Sequence, residues 1–216
     1  MYKRLSFLTA LFFGCVTLLA QNPQRFQGEI DKYAQEAASV SNKKLALFTG
    51  SSSIRIWDDM AERFPKKNVL NRGFGGSSMS DLLYYTDELI FKYSPSKIFI
   101  YEGDNDIASG KTAEQILTDA KTILAQIREK LPKNVKVYFI SAKPSVARWS
   151  LKDKYVDFNT QLEAWTKTEA NVGYVDVWTP MLQPNGEVMD DIFREDNLHM
   201  TSKGYDIWEK VFKKYL

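Results

Sequence analysis

The sequence predicts an α/β fold, a three-layer αβα sandwich around a mostly parallel sheet. Two observations carry that expectation. Short apolar runs rich in β-branched and aromatic residues recur along the chain, each closing on Gly, Ser or a polar turn, as strands buried on both faces do. Between them the apolar residues switch to helical spacing, and strands alternating with such helices build βαβ units.

Taken in order, the 216-residue chain opens with Lys3 and Arg4 before an uncharged run, LSFLTALFFGCVTLLA, and turns polar at Gln21. A spanning helix needs about 20 apolar residues. The run falls short, and Ala20 offers a small cleavage residue, so residues 1–20 read as a secretory signal peptide and 21–216 as one exported domain, periplasmic or secreted. The competing reading is a lipoprotein acylated at Cys15, which would leave VTLLA next to the anchor, where a polar tether is expected. A polar helical segment follows, from Phe26 to about Val40. The strand runs are LALFTG (45–50), NVLNRG (68–73), KIFIYEG (97–103), VKVYFISA (135–142) and VGYVDV (172–177).

A helix from Ser80 to Phe91 fits between the second and third runs. The next helix is marked by the stripe Ala113, Ile116, Leu117, Ala120, Ile123, Leu124, Ile127 and Leu131, with Thr112 and Gln115 spaced as a capping box and Pro132 past its end. Leu151, Tyr155, Phe158, Leu162 and Trp165 make a further stripe, and Ile207, Trp208, Val211 and Phe212 the last. No Pro/Gly-rich linker divides the chain, and this length buries a core without disulfide or metal staples.

Lys and Arg number 29 against 27 Asp and Glu; loss of residues 1–20 would remove Lys3, Arg4 and no acid, leaving 27 against 27. Without a basic excess, nucleic acid and anionic membrane surfaces are poor partners. The same cleavage removes Cys15, the only cysteine, and with it any disulfide or thiolate nucleophile. One histidine and carboxylates not clustered at ligand spacing exclude a metal site.

Ligands of parallel sheets bind outside the carboxyl ends of the strands. There the five runs lead in turn into GSSS, RGFGG, GDND, KPSVARW and, through a long loop, EDNLH. Ser52 in GSSS could expose its hydroxyl at a strand-to-helix turn, though a serine there also serves as a helix cap. In EDNLH, Asp196 lies one turn before His199. A carboxylate so placed can hold Nδ1 and leave Nε2 to take a serine proton; alternatively the pair forms the turn and cap of the last helix. Gly75 and Gly76 can offer unobstructed N–H groups to a developing oxyanion and Asn105 an uncharged amide donor, or they are simply turn residues.

Together and in this order, FTGSSSI, NRGFGG, GDND and EDNLH resemble the blocks of the SGNH (GDSL-type) hydrolase family, and KPSVARW resembles a segment of its platelet-activating-factor acetylhydrolase-like members. The resemblance implies a flavodoxin-like five-stranded sheet of order 2-1-3-4-5 and ester hydrolysis without metal or organic cofactor. It makes Ser52 the nucleophile, Asp196 and His199 its partners, and Gly76 and Asn105 the oxyanion residues. One position departs: where the family carries Asp, this chain has Ser51. Arg148 and Trp149 are read as substrate contacts, the indole stacking on a sugar, or as an ion pair and a packing residue. The expected substrate is a small ester, first an O-acetylated carbohydrate. A lysophospholipid or thioester fits the same mechanism, and Ser51 leaves room for a non-catalytic carbohydrate-binding protein.

Overall fold

Five strands, β1 (Ala46–Gly50), β2 (Val69–Gly73), β3 (Lys97–Tyr101), β4 (Lys136–Ile140) and β5 (Val172–Val175), form one sheet in the order β2-β1-β3-β4-β5. Every neighbouring pair is parallel. The computed structural model describes residues 22–216, so the expected signal peptide and Cys15 lie outside the described residues. All the runs expected to be strands are strands, with ends trimmed where the chain turns away toward the loops.

The helices are α1 (Gln27–Glu36), α2 (Ser52–Arg55), α3 (Met60–Arg63), α4 (Met79–Tyr84), α5 (Thr86–Leu89), α6 (Asp104–Ala108), α7 (Ala113–Lys130), α8 (Lys152–Thr166) and α9 (Ser202–Phe212). In α7 the capping box forms as spaced: Gln115 N–H donates to Thr112 Oγ1 and Thr112 N–H to Gln115 Oε1. The single helix expected over Ser80–Phe91 is instead α4 and α5, followed by a 3₁₀ turn at Phe91–Tyr93. Thr86 gives the physical reason. Its hydroxyl bonds back to Leu83 O at 3.3 Å and outward to Gln126 at 2.8 Å, and a β-branched hydroxyl residue bonding into its own preceding turn disfavours continuous helix.

Alternation along the strands feeds two cores. Leu47, Ile98, Ile100, Val137 and Phe139 point to one face, where the buried side chains of α4, α7 and α8 complete a largely aliphatic cluster. Phe48, Phe99, Tyr101 and Ile140 point to the other, against Trp57, Tyr205, Trp208 and Phe212. That second core is aromatic: Phe48 stacks on Phe99 at 4.4 Å and Phe99 on Tyr138 at 4.8 Å. Each fully buried side chain of this size contributes about 1.5–3 kcal/mol, so both faces hold the sheet and its loops in one register.

Candidate active site

Register brings the site together. Gly50, the last residue of β1, pairs with Gly73 of β2 on one side and Tyr101 of β3 on the other, so the loops after all three strands meet. Gly50 has φ +120°, and a Cβ there would stand 2.0 Å from Tyr101 O. Only glycine lets the chain turn this close to β3. Ser51 follows as the extended N-cap of α2, its N–H donating to Tyr101 O at 3.0 Å. Ser52 is the first residue of α2, half-buried at the rim.

His199 reaches Ser52 from a turn far along the chain. Its Nε2 lies 2.9 Å from Ser52 Oγ and its Nδ1 2.6 Å from Asp196 Oδ2. The other carboxylate oxygen, Asp196 Oδ1, accepts the backbone N–H groups of Leu198 and His199, both at 2.9 Å. Asn197, at φ +56°, reverses the chain inside this turn. What burial Asp196 has raises its pKa, but the hydrogen bonds from the His199 ring and the two N–H groups outweigh it and hold the carboxyl at about 2. The carboxylate is thus charged across the whole working range, fixes Nδ1 as the protonated nitrogen, and leaves the Nε2 lone pair facing the serine hydroxyl. Such an arrangement can move a proton off Ser52.

The opposite side holds hydrogen-bond donors. The N–H groups of Ser52 and Gly76 have no hydrogen-bond acceptor among the described residues, whereas the Gly75 N–H is taken by Glu29 Oε2 at 3.1 Å. Of the paired glycines only Gly76, exposed and at φ +55°, keeps a free donor. Asn105 sits in the first turn of α6, and its Nδ2 donates to Ser51 Oγ at 2.7 Å and Ser77 O at 2.9 Å. The hydroxyl standing where the family has a carboxylate is therefore an acceptor for this amide. Both Asn105 protons are engaged, so donation to a substrate oxygen requires sharing one of them.

Arg148, expected as a substrate contact, is committed within the protein. Its guanidinium spans Asp104 Oδ1 at 2.5 Å and Asn105 Oδ1 at 2.9 Å, which is the ion-pair alternative. Trp149 stacks on Trp178 with ring centroids 5.9 Å apart and donates to Glu187 Oε2 at 2.7 Å.

Behind Asn105 lie groups the motif reading passed over. Asp104 is buried and also receives the Tyr155 hydroxyl and, at 3.2 Å, that of Tyr101, with Lys143 Nζ 3.6 Å away. Burial pushes the Asp104 carboxyl up, but the charges of Lys143 and Arg148 and the Tyr155 hydroxyl win and hold it below the usual aspartate range. Lys143, fully buried, also donates to Leu198 O at 2.8 Å, tying this network to the His199 turn. The signal was present in the sequence as charged residues standing at the ends of very apolar strands, where burial forces pairing.

Among the described residues no group of three or more His, Cys, Asp or Glu side chains is placed to hold a metal ion, and no helix is long and apolar enough to cross a membrane.

Solved structures share this architecture. A Streptococcus pneumonia protein named for platelet activating factor superposes with TM-score 0.79 at 22% identity, covering 88% of this chain and 92% of that one. A GDSL-like lipase from Bacteroides thetaiotaomicron gives 0.73 at 22% identity over 86% and 96%. A mutant of an acetyl-xylooligosaccharide esterase from Geobacillus Stearmophilus gives 0.65 at 12% identity over 81% and 94%. At such identities the likeness is one of fold. A search of curated proteins finds no match. The family assignment comes from the sequence itself, for residues 18–207 match the family model: the chain belongs to the GDSL-like lipase/acylhydrolase family.

Proposed function

We propose that this protein is a serine esterase that removes small acyl groups through an acyl-enzyme, with O-acetylated carbohydrate as its substrate. The observation that carries the reading is the unbroken hydrogen-bonded line from Ser52 Oγ through His199 to Asp196, at 2.9 and 2.6 Å. Ser52 Oγ attacks the ester carbonyl while His199 Nε2 takes its proton, and Asp196 stabilises the resulting imidazolium. The imidazolium returns that proton to the leaving alcohol. Water, deprotonated by the same nitrogen, then attacks the acyl-enzyme and frees the acid and Ser52.

The oxyanion formed in each step takes the Ser52 and Gly76 N–H groups and one Asn105 proton. That proton rests on the neutral Ser51 hydroxyl in the free protein. Hydrogen bonds to a charged acceptor are about twice as strong as neutral ones, so the oxyanion outcompetes Ser51. The gain appears only as charge develops, which is where binding energy accelerates a reaction.

Family membership supports ester cleavage, and the acetyl-xylooligosaccharide esterase with the same fold supports the acetylated-sugar assignment. The leader-like composition of residues 1–20 supports export, where such glycans are met.

Ser52→Ala tests the mechanism: kcat on p-nitrophenyl acetate should fall about 10⁴-fold or more, with an unchanged circular dichroism spectrum. An organophosphonate should label the native protein and not this variant. Retained turnover or labelling would overturn the assignment of Ser52. The substrate is tested by acetate release from acetylated xylan measured against hydrolysis of octanoyl and longer esters; a long-chain preference would exclude the deacetylase reading while leaving the mechanism standing.

A further inference from the structure

The loop that brings Gly76 and Ser77 to the site rests on a buried carboxyl group that the proposed chemistry does not use. Glu102 follows β3 and is 1% exposed, and Ser77 beneath it is fully buried. Their side chains meet at 2.6 Å, Ser77 Oγ against Glu102 Oε1. Ser77 Oγ is also 3.4 Å from Phe74 O, and the Phe74 N–H is anchored on Gly50 O at 2.8 Å. The turn from Phe74 to Ser77 is thus anchored at one end on Gly50 and at the other, through the Ser77 side chain, on Glu102. That turn carries the Gly76 N–H and the Ser77 carbonyl on which the Asn105 amide rests.

We propose that Glu102 is a positioning residue, holding the Phe74–Ser77 turn through the Ser77 hydroxyl so that the Gly76 N–H and the Asn105 amide stay aimed at the substrate carbonyl oxygen. The inference rests on the serine-esterase reading above.

The surroundings set the charge of this acid. Three buried carboxyl groups stand around the loop. Asp106 has Lys111 Nζ at 2.8 Å and the Met79 N–H at 3.0 Å. Asp81 has Arg25 at 3.1 Å and the Ser78 N–H at 3.0 Å. Glu102 has neither a cation nor a backbone N–H, and its Oε2 has no hydrogen-bond partner among the described residues. Burial first, and then the charge of Asp106, push its pKa well above the carboxylate range against the weaker pull of Ser77 and Lys111. Glu102 Oε1 accepts the Ser77 hydroxyl at 2.6 Å, and Phe74 O lies farther from the same hydroxyl at 3.4 Å.

Glutamine keeps an acceptor oxygen at the same reach, so it can take the Ser77 hydroxyl as Glu102 Oε1 does. Glu102→Gln should accordingly keep kcat on p-nitrophenyl acetate within about threefold of the native value, less than one hydrogen bond is worth. Glu102→Ala should lower it about 10–100-fold, below the about 10²–10³ that loss of a direct oxyanion donor costs, with KM nearly unchanged. Rates are counted per serine titrated by the organophosphonate, so unfolded protein does not enter.

The loss in Glu102→Ala should also be non-additive with Asn105→Ala, because both act on the same donors. If the alanine variant does not fold, Ser77→Ala breaks the same link with a smaller volume change and should show the same selective loss of kcat. Alanine variants with native kcat per titrated serine, or a glutamine variant as impaired as the alanine one, would overturn the proposal. Turnover persisting in Ser52→Ala would instead overturn the reading beneath it.

Discussion

The turn from Arg194 to His199 and the amide of Asn105 face each other across the site but are held in opposite ways. The turn closes on itself. Arg194 N–H bonds His199 O at 2.7 Å, Asn197 N–H bonds Arg194 O at 2.8 Å, and Asp196, three residues from His199, supplies the carboxylate while its side chain stays 48% exposed. Asn105 has no such local support. Its amide is held by Ser51, Ser77 and Arg148, the nearest of them 28 residues away, and Arg148 depends in turn on buried Asp104. Lys143 does reach Leu198 O in that turn, but the exposed Asp196 side chain can be altered without disturbing the core, whereas the supports of Asn105 are continuous with it. The two halves should therefore fail differently, one in rate alone and the other in stability as well.

The largest effect expected is at the exposed half. Asp196→Asn keeps Oδ1 as acceptor for the Leu198 and His199 N–H groups, so the turn persists. It places an NH₂ opposite Nδ1 and favours the wrong tautomer, and such a change costs about 10⁴-fold in kcat. Stability to urea should move by no more than about 1 kcal/mol, as for loss of an exposed ion pair whose backbone hydrogen bonds are kept. The pH dependence follows from the same carboxyl. A folded pKa held at about 2 lies below the ordinary aspartate value, so what Asp196 contributes is present above that ordinary value and lost only as pH falls through about 2. An acid limb in kcat/KM at higher pH is consequently not its protonation.

Next in size is a substitution in the buried half. Asp104→Asn removes the only carboxylate paired with both Lys143 and Arg148 among the described residues. Lys143 is fully buried, and stranding a buried charge costs about 3–5 kcal/mol. The urea midpoint should drop accordingly, and activity with it, whereas Asp196→Asn loses rate alone. The sign with pH is again that of a depressed carboxyl: the stabilisation is present above the ordinary aspartate pKa and disappears in acid below it. Equal stability of the two variants would dissolve the distinction between the halves.

The same contrast explains what could be read from the sequence. Asp196 and His199 are legible because their partnership is local, and the strand runs because burial on both faces leaves a compositional mark. The order of the sheet came with the family resemblance. Ser51–Asn105, Ser77–Glu102 and Arg148–Asp104 depend on the register of β1, β2 and β3 and on where the loop after β4 folds back, and no spacing encodes those distances. Ser51 shows the limit most clearly. As a residue type it only departs from a motif; in place, its oxygen accepts the Asn105 amide at 2.7 Å. The break between α4 and α5 was hidden similarly, since one of the bonds that stop the helix at Thr86 runs to Gln126 on α7.

The smallest effect expected lies inside the buried half, and it decides what Arg148 does. Its guanidinium forks between Asp104 at 2.5 Å and Asn105 at 2.9 Å. Lysine would keep the charge beside Asp104, but a single ammonium cannot span two acceptors in the same planar geometry. Arg148→Lys should therefore cost no more than about 1 kcal/mol in stability, since the ion pair survives in altered form. It should release the Asn105 amide, and losing one hydrogen bond to a charged group, about 1.5 kcal/mol, corresponds to roughly a tenfold fall in kcat with KM unchanged. A substrate contact predicts the other split. If KM for the acetyl ester rises and kcat holds, the guanidinium leaves Asn105 to meet the substrate, and the buried half of the site ends at Asp104.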